Sequence, residues 1–287
     1  MVTVRKATAD LFDQIHPLLL HFRHTRLDQA QWRRILSIRW SRHHDHFGYV
    51  LMQDDQVVGF LGTLFFERLI GDREHRFCDL FCWIVPEEYR QHSLLLLFPV
   101  LKLQDTTVMS LTPSHGASLI LARFGFTVLE THAEIFPALP RPGTGRGLRL
   151  IREKPLIRDR LRDHDLALFR DHDLPGCEHL LLETDGQEGG SCYLVFNTVR
   201  KKGIRFTQVY HVGDPRIFRQ GFSRLQWYFL RYNRTLFTLV DRRLLGGLRP
   251  GPGYGHVLRH PRLYRPAAGL EPARVDNLYS ELLLLRL

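Results

Sequence analysis

Apolar and polar positions follow two periods along the chain. Residues 2–5 alternate with period two and read as a short strand. Thr8 then precedes Leu11, Ile15, Leu18 and Leu19, whose three-to-four residue spacing predicts a helix capped by that threonine. Pro17 falls inside the pattern and predicts a kink or an early end. Asp28 offers an N-cap to a second helix carrying Trp32, Ile35 and Leu36 on one face. Residues 48–52 and 57–66 are rich in β-formers and flank the polar turn Gln53-Asp54-Asp55-Gln56, which predicts a hairpin. A third long strand is expected at 76–85, a turn at Pro86 and Glu87, and a buried helix at 93–102. A strand at 106–111, a helix at 117–124 stopped by Gly125, and a strand at 126–136 follow.

The stretch PALPRPGTGRG, residues 137–147, concentrates Pro and Gly without apolar periodicity and reads as a connector. Beyond it come strands at 148–152, 179–183, 192–199 and 205–212, with a helix near Leu156. Asp214 and Pro215 supply N-cap and first-turn residue to a helix running to about Tyr232, and 235–240 closes as a strand. The second half repeats the element order of the first. The expected fold is α/β with a mixed sheet, in two domains at 1–136 and 148–287 joined by 137–147.

Three segments, VLMQDDQVVGFLG, WIVPEEYRQHSLLLLFPVL and SHGASLILARFGF, together resemble the GNAT (Gcn5-related N-acetyltransferase) acyltransferases over about residues 3–135. Gly59 sits in the central hairpin of that pattern, and Ala117, Phe124, Gly125 and Phe126 stand in its penultimate helix and the turn after it. The resemblance implies tandem GNAT-like domains and an acyl-CoA, acetyl-CoA or another, as cofactor. In the family a strand end and a Q/R-x-x-G-x-G/A turn hold the CoA pyrophosphate, because free amides at a helix start form an anion site. Carried over, the cofactor-binding positions are Ile84, Val85, Arg90, Gln91, His92, Ser93, Leu94 and Leu95. Arg90 keeps the first position of the motif, while Ser93 and Leu95 replace both small residues. Residues 90–95 are therefore expected to open a helix with its amides toward a cleft, Leu95 crowding the phosphates.

The resemblance also implies Asp79 as general base on the strand before that loop; the alternative is an Asp satisfied by neighbouring hydrogen bonds. Leu121 stands where many members carry the tyrosine that protonates the leaving thiolate. The second half has no phosphate loop and resembles a degenerate copy, and DNLYSELLLLRL resembles the closing segment of tandem acyltransferases. The implied acceptor is a small molecule with an amine or hydroxyl, including a sugar intermediate. A non-catalytic tandem scaffold that binds a ligand between its halves stays open beside the enzyme, with Leu95 and Leu121 in its favour.

Composition narrows the classes. With 44% hydrophobic residues the chain can bury a core, and its longest apolar runs, 94–101 and 282–285, are too short to span a membrane. The first residues lack the pattern of a secretory signal, so a cytoplasmic location is expected. Cys78, Cys82, Cys177 and Cys192 read as reduced thiols, and Cys78 and Cys82, in an apolar run, as buried ones. The net charge of +10 admits a nucleic-acid partner, but Lys supplies only five of the 40 cations and the arginines are scattered. The best aromatic-basic stretch, RLQWYFLRYNR, has the spacing of an amphipathic core helix. Two polar groups, His43-His44-Asp45-His46 and His172/Cys177/His179, contain metal-ligand types but no finger spacing, and no metal is assigned. Oligomeric state is not legible.

Overall fold

The computed structural model describes residues 1–22, 27–140, 147–185, 190–268 and 270–287, so residues 141–146 of the expected connector lie outside the described residues. The first half runs β1 (Thr3–Lys6), α1 (Phe12–Leu19), α2 (Gln29–Ser37), β2 (Gly48–Gln53), β3 (Gln56–Ile70) and β4 (Arg73–Ile84). A run of 3₁₀ turns at Glu87–Leu96 and a one-turn helix α3 (Phe98–Leu101) lead to β5 (Thr106–Ser110), α4 (His115–Arg123) and β6 (Thr127–Pro137). The second half runs β7 (Leu148–Ile151), α5 (Lys154–Arg160), α6 (Asp163–Asp171), β8 (Glu178–Thr184), β9 (Ser191–Lys201) and β10 (Ile204–Val212). It ends with α7 (Pro215–Tyr228), β11 (Phe237–Asp241), β12 (Tyr254–Arg265) and α8 (Glu281–Leu284). No helix among the described residues is long and apolar enough to cross a membrane.

Local chemistry explains most of these boundaries. Asp28 accepts from the Gln31 amide at 2.8 Å while the Gln31 side chain accepts from the Asp28 amide at 2.9 Å, a reciprocal capping box. Asp54 and Asp55 both take positive φ, which gives the two-residue turn between β2 and β3 the twist that a tight hairpin needs. Pro17 sits inside α1, which ends at Leu19. The helix expected at 93–102 is different: Pro99 has no amide to give the Leu95 carbonyl, so the regular helix is cut to α3. β12 escaped the sequence pattern altogether. Pro261 and Gly255 break the alternation, and the strand is bulged between Val257 and Arg262.

All strands join one 12-stranded sheet in the order β1-β2-β3-β4-β5-β12-β6-β11-β10-β9-β8-β7. β4 runs parallel to β5 and β10 parallel to β11; the other neighbours are antiparallel. Strands β1 to β5 therefore match β7 to β11 in order and direction. The closing strands are exchanged: β12 lies beside β5, β6 lies beside β11, and the two meet at the centre. A cut at residue 136 follows the chain and not the sheet.

The core crosses the same seam. One apolar cluster combines Phe66, Phe77 and Met109 of the first half with Leu168, Tyr193 and Tyr210 of the second, and Leu278, Tyr279 and Leu282 of the C-terminal segment fill the space between. Tyr279 stacks on Phe66 with centroids 4.5 Å apart, and Trp40 packs edge-on against it. Behind this layer a buried polar knot ties the seam. Asp241 receives both nitrogens of a fork from Arg262, at 2.5 and 2.8 Å, together with Arg243 at 2.6 Å and the Asn277 amide at 2.8 Å. Burial by itself would raise the Asp241 carboxyl, but the two guanidiniums outweigh it and hold the group well below the usual carboxylate range.

Asp241→Asn leaves two buried guanidiniums short of a counter-charge. We expect it to cost about 3–5 kcal/mol, measured by urea unfolding. Residues 1–140 expressed alone lack β12 and leave β5 and β6 with open edges; we expect aggregation, checked by size-exclusion chromatography, and recovery on co-expression with residues 147–287.

Candidate active site

β4 and β5 pair from Arg76–Thr106 to Asp79–Met109 and then separate. Just beyond that point β4 is bulged against β3, where Phe60 faces Ile84 and Gly62 faces Phe81, and Cys82 within the bulge takes φ 51°. Gly62 is required there, because a Cβ would lie 2.5 Å from the Phe81 ring. The parting strands open a cavity of ≈ 390 Å³. Leu80, Phe81 and Trp83 form one wall and Ala117 and Leu121 of α4 the other, with Arg259 and His260 of β12 at the side. Glu281, Leu285 and Leu287 of the C-terminal segment complete it.

The chemistry concentrates on two carboxyls. Asp79 is fully buried, and its Oδ2 accepts the Glu281 amide at 3.3 Å. Burial, reinforced by the neighbouring Glu281 carboxyl, pushes Asp79 well above the ordinary carboxylate value. Glu281 is equally buried, and its Oε1 accepts the Thr112 hydroxyl at 2.6 Å. Asp79 Oδ1 and Glu281 Oε2 have no other partner. Two acids that close share a proton more readily than they share two charges. Of the pair, Glu281 lines the cavity and Asp79 stands behind it.

No protein-family model and no curated protein sequence matches the chain. Solved structures do. A GCN5-related N-acetyltransferase from Anabaena variabilis superposes on 92% of this chain and 72% of its own, with TM-score 0.62 and 13% identity. A probable N-acyltransferase from Enterococcus faecalis covers 93% and 73%, at TM-score 0.62 and 12% identity. The chain has the GNAT fold. Saccharomyces cerevisiae N-myristoyltransferase, solved with myristoyl-CoA, matches more loosely, at TM-score 0.50 and 9% identity over 97% of this chain and 87% of its own.

The helix that residues 90–95 were expected to open begins earlier. The helical run starts at Glu87, so Arg90, Gln91, His92, Ser93, Leu94 and Leu95 are inside it instead of opening it. Pro86 ends the extended chain, and Glu87 and Glu88 suit the first helical turn, where the dipole favours acids. Tyr89 N bonds the Pro86 carbonyl and Leu97 N the Leu94 carbonyl, the three-residue spacing of 3₁₀ turns at both ends of the run. Leu95 packs against the cluster containing Leu80, Leu96 and Leu97, as does Val85, while Ile84 joins the cluster beneath α1. None of these residues lines the cavity. Leu121 does line it, and the thiols of Cys78 and Cys82 are pushed up by burial and stay protonated.

Glu281 was not found from the sequence. Its one signal is an acid inside the otherwise apolar run that ends the chain. The ring nitrogens of His172 and His179 are spent in the core: His172 Nδ1 donates to the Leu168 carbonyl and its Nε2 accepts the Tyr279 amide, while His179 bonds the His172 carbonyl and the Tyr193 hydroxyl. His44 stacks on Phe65, and burial drives His46 down to about 4. Among the described residues no three metal-ligand side chains converge. In RLQWYFLRYNR, Leu225 and Phe229 are buried and Trp227 and Tyr232 exposed, the two faces of an amphipathic helix.

Asp79 gives a pH test with a definite sign. Its folded pKa is raised above the ordinary 3.8, so its contribution is fully present below that value and is lost as pH rises through the folded pKa. Asp79→Asn removes that loss. Urea titrations from about pH 4 to pH 8 should show the variant gaining stability relative to wild type as pH rises; parallel curves would contradict it.

Proposed function

We propose that the protein is an acyltransferase that passes an acyl group from an acyl-CoA, acetyl-CoA or a longer thioester, to an amine or hydroxyl of a small-molecule acceptor such as a sugar intermediate. One observation carries this reading: the cleft of a GNAT fold has the buried carboxyl of Glu281 in its wall with that of Asp79 behind it, each with an oxygen that lacks a hydrogen-bond partner. The thioester, when bound, supplies an activated acyl group. Leu80, Phe81, Ala117 and Leu121 would hold its acyl and pantetheine portion in a small, largely apolar space. The fit ends there, since the first turn of the helical run carries Glu87 and Glu88, whose charge opposes a pyrophosphate.

Glu281 acts as the general base, its Oε2 taking the proton from the acceptor's N–H or O–H. The Thr112 hydroxyl on Oε1 fixes the carboxylate's orientation. Asp79, kept protonated by burial, supports Glu281 without adding a second charge. Leu121 offers no proton for a leaving sulfur. That gap, with the acidic turn at Glu87 and Glu88, favours a second reading in which the cleft binds a ligand without turning it over.

Thermal unfolding with CoA, acetyl-CoA and longer acyl-CoAs tests both. A thioester present at about 100 times its Kd adds about 2.7 kcal/mol of stability. We expect a shift with at least one acyl-CoA, and Glu281→Gln to keep that shift while slowing transfer about 10²–10⁴-fold. A shift without turnover in wild type selects the binding reading; no shift with any thioester rejects both.

A further inference from the structure

The second half has a cleft of its own. β10 and β11 pair from Phe206–Phe237 to Val209–Val240 and then part beside a bulge, as β4 and β5 do. The opening holds a cavity of ≈ 490 Å³, within the size range of small-molecule sites. Strand β3 of the first half supplies Arg68 to its wall, and the segment before α8 supplies Asp276.

These two form a buried cluster with His211. Arg68 Nη1 meets Asp276 Oδ1 at 2.8 Å, His211 Nδ1 meets Asp276 Oδ2 at 2.9 Å, and Arg68 Nη2 meets His164 Nε2 at 3.3 Å. Arg68 and His211 are 7% and 8% exposed, yet Arg68 Nε and His211 Nε2 have no partner. His211 Nε2 lies 3.8 Å from where a Cβ on Gly213 would stand, and Gly213 lines the cavity. Arg68 Nε–H is a donor, and His211 Nε2 is a second hydrogen-bonding group that a hydroxyl, able to donate or to accept, can meet. Unmet groups this buried normally have a partner.

An anion is a poor candidate for that partner. Arg68 and Arg243 already have Asp276 and Asp241, and the first amides of α7 are taken by Asp214, at 2.7 Å from Arg216 N and 3.3 Å from Ile217 N. Asp165 adds a further negative charge to the wall and Arg274 a positive one. Leu69, Ile70 and Leu244 give the cavity an apolar side.

We propose that this second cleft is a binding site for a neutral polyhydroxylated small molecule, a sugar or polyol, one of whose hydroxyls bonds His211 Nε2 while another accepts from Arg68 Nε. An apolar ring face rests on the Leu69 and Leu244 side. The site does not depend on acyl transfer in the first cleft, and its binding is measured without any thioester.

The experiment uses the full chain with ¹⁵N-labelled histidine, titrated with D-glucose, N-acetyl-D-glucosamine, myo-inositol and inorganic phosphate. At least one of the three hydroxylated probes should move the His211 Nε2 resonance saturably, and phosphate should not. His211→Leu should weaken that binding at least tenfold in calorimetry. Ala273→Trp, at the exposed rim, fills the cavity without touching the ion pairs and should abolish it, with circular dichroism confirming the fold. A response to phosphate alone, no response to any hydroxylated probe, or equal binding by wild type and Ala273→Trp overturns the proposal.

Discussion

The carboxylate of Asp241 ties together three parts of the chain that are far apart in sequence. It ends β11, grips Arg262 of β12 through a two-pronged fork, and binds Arg243 and Asn277, so that one buried anion fixes the second half, the exchanged strand and the C-terminal segment. Arg262 also reaches the Leu111 carbonyl just past β5 at 3.0 Å. Two guanidiniums and one carboxylate can stay in the interior because nearly every donor and acceptor among them is matched; loss of the anion leaves charge without compensation.

The strand exchange converts this knot into architecture. Each half lacks its last strand and borrows it from the other, so neither half closes its sheet alone and the halves cannot drift apart without breaking a ladder. That rigidity serves both clefts. Each opens where a parallel pair of strands parts, and each is finished by residues from far away in sequence: Glu281 and Arg259 for the first, Arg68 and Asp276 for the second. The segment before and through α8 contributes a carboxylate to both. A chain end that packs Tyr279 between Phe66 and Trp40 is thereby a structural wedge and a supplier of site chemistry at once.

The two clefts differ in what burial has done to their charges. In the first, Asp79 faces another acid and is driven toward its neutral form. In the second, Arg68 and His211 outweigh the cost of burial at Asp276 and keep it ionised. One cleft has a carboxyl in its wall with a second behind it; the other holds Arg68 Nε and His211 Nε2 without protein partners.

Periodicity, caps and turns were sufficient to read the α/β class and the two-fold repetition of elements, and three short segments carried the GNAT resemblance, because those signals depend on residues within a few positions of one another. The Asp28 cap and the Asp54-Asp55 turn are local in that sense, and the structure has them as read. Asp79 was legible as an acid on the right strand, but its place behind Glu281 was not, since the two are brought together only by the C-terminal segment crossing the seam. β12 was invisible because Pro261 and its cations hide a strand whose pairing is set by the neighbours β5 and β6 and not by its own pattern. The loop at 90–95 misled for a related reason: its spacing matched a motif, while the helix start was decided by Pro86 and the two acids after it. Sequence alone determined the strands from β1 to β11 and the capped helices between them, whose signals are local. Which strand completes which half, and which acid faces the cleft, were decided by tertiary packing, where contacts between distant residues outweigh local preference.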